Sequence, residues 1–129
     1  MNEYYLTLLE VSGIQEYVFG SNELVQNLAA SERVSQVTGS WVVETLDDET
    51  ITHNAKRNGD RYALDPDTGQ YELSDQGVEN GRAATIIYLG GGKALLLFHD
   101  AADKDRFVKR LTRRVLLEAE DLQLVVVND

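Results

Sequence analysis

Two short apolar runs, Ala83-Ala84-Thr85-Ile86-Ile87-Tyr88-Leu89 and Ala94-Leu95-Leu96-Leu97-Phe98, flank Gly90-Gly91-Gly92-Lys93. No other feature of the chain narrows its fold as much. Runs of this length on either side of a glycine-rich break predict two buried strands joined as an antiparallel hairpin.

The first apolar run, Tyr4-Tyr5-Leu6-Thr7-Leu8-Leu9, ends at Glu10-Val11-Ser12-Gly13. Being nearly all apolar, it predicts a strand covered on both faces. Ser12-Gly13 is expected to break it and to open a helical turn through Ile14–Phe19. Gly20-Ser21-Asn22 interrupts that turn, with Ser21 or Asn22 as the next cap. From Glu23 to about Leu46, Leu24, Leu28, Val34, Val37, Trp41 and Leu46 recur at helical spacing and form a core-facing series. Ala29-Ala30-Ser31 and Gly39 mark places of bending or close packing. Asp47-Asp48-Glu49 oppose the helix dipole, so fraying is expected there.

Residues 50–82 are polar and acidic. Arg61–Leu64, Asp65-Pro66-Asp67-Thr68-Gly69 and Gln70–Leu73 read as strand, turn and strand. The turn lacks the later acids of a calcium loop. This stretch is taken as a surface excursion inserted into the domain. Asp100 is expected to cap a last helix, with Asp103 at its third position and Phe107, Val108, Leu111 and Val115 facing the core. Asp121–Val127 closes the chain as a fourth strand. Strand, helical region, hairpin, helix and strand predict an α+β fold: an antiparallel sheet of about four strands with helices on one face and a small inserted hairpin. That layout is ferredoxin-like or palm-like. The 129 residues are read as one palm-like domain, either whole or cut from a longer protein.

Composition excludes several chemistries. The chain has no cysteine, which removes disulfides, thiol nucleophiles and cysteine-ligated metals. His53 and His99 are its two histidines, too few for an imidazole relay or a histidine metal site. A net charge of −10 argues against general binding to nucleic acid, except through the basic face of the last helix. There Arg106, Lys109, Arg110 and Arg113 fall on one stripe, read first as a solvated face and second as a surface for an acidic partner. No apolar run reaches the length of a membrane span, and the start lacks a secretory signal, so a cytoplasmic protein with no membrane partner is expected.

Two segments carry a resemblance. Leu8-Leu9-Glu10-Val11-Ser12-Gly13-Ile14-Gln15-Glu16-Tyr17-Val18-Phe19, with Leu28-Ala29-Ala30-Ser31 beyond it, resembles the opening motif of CRISPR polymerase palm domains. Ile87–Phe98 with its three glycines is similar to the matching hairpin. This family comprises the large subunit of type III effector complexes and its standalone relatives. The resemblance covers about residues 4–46 and 83–127. It implies a GGDEF-like palm, binding of ATP with magnesium or of a related nucleotide, and a place in antiviral signalling through cyclic oligonucleotides. An active palm sets carboxylates at the first strand and on the hairpin, where they hold two cations. Here Gly92 and Lys93 stand where the hairpin acids belong, Ser12 replaces a second strand acid, and Glu10 holds the usual aspartate place. The expectation is a non-catalytic palm variant. By the resemblance, Ser12, Gly13, Gly90, Gly91 and Gly92 line a nucleotide cleft; Lys93 is read as meeting a phosphate oxygen, and Glu10 is the candidate metal ligand. Its expected partners are a nucleotide and a second palm domain or a second copy of the chain. Two rivals stand beside this reading: an active metal-dependent cyclase using Glu10, and a plain interaction module.

Overall fold

The computed structural model describes residues 4–13, 33–119 and 122–128. In chain order its elements are strand β1 (Tyr5–Gly13), helix α1 (Ser40–Asp48), the short strands β2 (Arg57–Asn58) and β3 (Arg61–Tyr62), strands β4 (Ala84–Gly90) and β5 (Lys93–Phe98), helix α2 (Ala101–Glu118) and strand β6 (Leu122–Asn128). The main sheet runs β4-β5-β1-β6, and every neighbouring pair is antiparallel. This α+β arrangement has the strand order and connectivity of a ferredoxin-like fold. Both helices lie on one face.

Alternation along the strands builds the core. Thr7, Leu9 and Val11 of β1, Ala94, Leu96 and Phe98 of β5, and Leu122 of β6 are buried on the helix side. Val37, Trp41, Val42, Leu46, Phe107, Leu111 and Val115 meet them there. Phe98 and Phe107 pack at a tilt of 44° with ring centroids 5.4 Å apart. A bulge between Ile86 and Tyr88 lets β4 bury Ala84 and Ile86 before it and Leu89 after it. On the other face Leu6, Leu8, Leu95 and Leu97 are half-buried, while Tyr88, Val125 and Val127 are exposed. Among the described residues no helix covers that face.

Several expectations need correction. β1 does not stop before Ser12-Gly13. It continues because β6 lies alongside, with Glu10 opposite Val125 and Gly13 opposite Leu122, and the ladder holds the backbone extended. The helical turn expected at Ile14–Phe19, the core positions Leu24 and Leu28, and Ser31 lie outside the described residues. Gly39 does interrupt the helix: residues 33–37 are helical, a turn follows, and α1 starts at Ser40. The acids that close α1 meet cations of α2. Arg110 reaches Glu49 at 3.3 Å and Asp48 at 3.6 Å, and Arg106 reaches Glu49 at 3.7 Å, so cations of α2 offset the dipole penalty. Those arginines therefore serve partly as intramolecular partners and not only as a solvated stripe.

Asp100 precedes α2 as expected, but its side chain makes no cap bond. Its carboxylate instead lies 3.2 Å from His99 Nδ1. Asp103, in the first turn, pairs with Arg106.

The 50–82 stretch is more than a surface excursion. Ile51, His53 and Asn54 are buried. The Asn54 amide accepts from Ile86 N–H at 2.6 Å and donates to Ile86 carbonyl at 3.1 Å, sealing the β4 edge as a strand would. Leu64 and Tyr71 form the expected bridge across the Asp65–Gly69 turn, where Asp65 Oδ1 accepts the amides of Asp67 and Thr68. The added piece is Arg57–Asn58, paired with Arg61–Tyr62 around Gly59, whose φ is +71°.

Candidate functional site

The hairpin end of the sheet brings Glu10–Gly13, the described part of the first motif, beside the glycine turn. Gly90 and Lys93 face each other across a two-residue turn made of Gly91 and Gly92. Their φ values, +60° and +83°, are the paired positive angles of the hairpin turn that glycine adopts most cheaply. Val11 N–H donates to the Gly92 carbonyl at 2.8 Å, stitching the turn to β1. One register step away, Glu10 is opposite Lys93. Ser12 and Gly13 continue along β6, opposite Gln123 and Leu122. Thus Glu10, the Ser12-Gly13 backbone and Gly90–Lys93 occupy one end of one sheet.

The three glycines differ in what surrounds them. A Cβ at Gly92 would meet the Val11 carbonyl at 2.9 Å and Val34 Cγ1 at 3.1 Å, so this glycine is packed into the core side. At Gly90 it would meet Gln70 Nε2 at 2.8 Å, because the tip of the inserted hairpin reaches over the turn. Among the described residues, a Cβ at Gly91 would meet only the Tyr88 hydroxyl, at 4.0 Å. A ligand therefore has close backbone access at Gly91, while turn geometry and packing account for the glycine at 92.

Glu10 and Lys93 are exposed and sit on the open face, as neighbours of buried residues that point to the helices. Cross-strand neighbours of this kind have Cβ atoms about 5 Å apart. Neither forms an ion pair with a described residue. One carboxylate beside an ammonium group does not fit a hard dication, which takes six or more oxygen ligands. No group of three or more histidine, aspartate or glutamate side chains that could hold a metal occurs among the described residues. What this end can do is present one exposed cation and exposed backbone to an anion.

A second polar cluster escaped the sequence reading. Asp47 Oδ1 accepts from His53 Nε2 at 2.9 Å, and the Tyr62 hydroxyl donates to Asp47 at 2.6 Å. His53 Nδ1 accepts the Ala55 amide at 3.2 Å, which leaves the ring proton on Nε2. Arg57 donates to the Tyr62 oxygen at 3.1 Å and lies over its ring, 4.7 Å from the centroid. Burial pushes the Tyr62 phenol from its ordinary 10.0 up to about 12, helped by its hydrogen bond to Asp47 and by that carboxylate's charge. Burial likewise raises Tyr71, with Glu44 and Asp47 adding to it. Tyr62 thus holds its proton firmly and is no base. Asp47, His53, Arg57 and Tyr62 edge a groove of about 570 Å³ and already bond one another. The cluster pins the inserted hairpin to the end of α1. Nothing in the local sequence pairs Asp47 with residues 6 and 15 positions away.

The chain matches no protein-family model, and it matches no curated protein. No helix among the described residues is long and apolar enough to cross a membrane.

Proposed function

We propose that the chain is a non-catalytic palm-type domain, and that its sheet end holds the phosphates of ATP or a related nucleotide. It does so in partnership with an active palm in antiviral cyclic-oligonucleotide signalling. The observation that carries this reading is the stitch between Val11 and Gly92, which sets Lys93 beside Glu10 and both beside an open glycine. Lys93 gives a phosphate oxygen the positive charge that a metal supplies in an active palm. Glu10 alone does not assemble two cations, so no phosphoryl transfer is assigned to this domain.

Equilibrium dialysis of the full chain against ATP, with and without magnesium, tests the reading. Retention of ATP in both conditions supports it. Absence of retention removes the nucleotide from the account, and a cyclic product that disappears in Glu10→Ala replaces it with the cyclase. A plain interaction module is favoured instead by the exposed Tyr88, Val125 and Val127 on the open face; under it Lys93→Ala changes nothing measurable.

A further inference from the structure

The main sheet has two edges, and the chain treats them differently. At the β4 edge the Asn54 amide bonds both backbone groups of Ile86, and Ala84 N–H donates to the Thr52 carbonyl at 2.9 Å. A further strand finds those groups taken. At the other edge β6 pairs, among the described residues, on one side only.

The ladder geometry says which of its groups are open. In an antiparallel pair, successive residues alternate between bonding one neighbour and facing the other way. Val11 donates to Gly92 on the β5 side, so the odd-numbered residues of β1 bond toward β5 and the even-numbered ones toward β6. Glu10 and Ser12 are opposite Val125 and Gln123, which therefore bond inward. Leu124 and Val126 present their N–H and C=O groups outward. A seven-residue edge without proline, lysine or any charge is a template for strand addition that proteins ordinarily guard.

The charges around it select the occupant. In the sequence Glu120-Asp121 precede β6 and Asp129 follows it, in a chain of net charge −10. Antiparallel pairing of β6 with a second copy would set acidic end against acidic end. A strand with basic flanks meets attraction at both ends. We propose that the β6 edge takes up an extended apolar segment of a partner polypeptide flanked by lysine or arginine, which joins the sheet as a fifth strand. This surface is distinct from the hairpin turn and does not depend on the nucleotide reading.

Fluorescence anisotropy on the full chain tests it with two labelled peptides. One carries an alternating valine–threonine core between lysine pairs, and its twin carries glutamate pairs. The lysine peptide is expected to bind about tenfold tighter or better, with an advantage that shrinks in high salt. Bound peptide should slow amide exchange at Leu124 and Val126 and leave Gln123 and Val125 unchanged. Val126→Pro, which removes an outward donor, should abolish binding. Should that variant fail to fold, the exchange pattern of the unaltered chain decides. Failure of both peptides to bind, or protection elsewhere, overturns the proposal. So does a dimer in sedimentation that is lost on peptide-independent blockage of β6, because the occupant is then a second copy.

Discussion

At the scale of single residues, position decides what each glycine and each hydroxyl is for. Gly92 combines a positive φ with atoms at 2.9 and 3.1 Å from a would-be Cβ, whereas Gly91 has the φ without the crowding. Gly91→Ala should therefore cost about 1 kcal/mol in urea unfolding, and Gly92→Ala at least about twice that. Equal costs would show that the turn is not stitched to β1 as described. Tyr62 supplies a pH signature. Because its value is raised in the fold, the folded chain holds the phenolic proton more tightly than the unfolded chain. Its contribution is whole below pH 10 and is lost as the pH climbs to about 12. Tyr62→Phe should flatten that part of the stability profile measured by denaturant midpoints. An unchanged fall would place the titration elsewhere.

At the scale of elements, what was legible in the sequence is what depends on local pattern. The β4–β5 hairpin, the break at Gly39, the Asp65–Gly69 turn and the final helix and strand follow from periodicity and from proline and glycine chemistry read in place. The strand order could be anticipated from the succession of elements. What was not legible depends on partners distant in the chain: the extension of β1 through Ser12-Gly13 needs β6, and the acids at the end of α1 find Arg106 and Arg110. Sealing of the β4 edge by Asn54 is the clearest case, since nothing around residue 54 announces a strand 32 positions away. Asn54→Ala leaves the Ile86 N–H and carbonyl without these bonds and should cost about 2–3 kcal/mol. Amide exchange should rise along β4 more than along β1. A neutral substitution would mean that the edge is protected by other means.

Across the whole molecule, acids outnumber bases by ten, yet the surface is not uniformly repulsive. Arg106, Arg110 and Arg114 tie α2 to Glu49, Asp48 and Glu44 of the first helix and its end, and Arg114 also lies 4.1 Å above the Trp41 ring. Reversing Arg110 therefore perturbs the fold as well as any partner surface; Arg113 is the cleaner probe of that face. The candidate site was partly legible. Its residues were visible as types, and the convergence of Glu10–Gly13 with the glycine turn follows from the sheet order. The crowding of Gly90 by Gln70 and of Gly92 by Val34 was not visible, because both neighbours come from other elements. That crowding confines the open approach to Gly91 and Lys93, where a cation rather than a metal is on hand.

Isothermal titration of ATP into the full chain and into Lys93→Ala, each with and without magnesium, probes this arrangement most directly. The expected result is binding that magnesium does not strengthen and that falls about tenfold in the variant, with an unchanged melting temperature. Binding that requires magnesium and survives the loss of the Lys93 ammonium, or no binding at all, would contradict it.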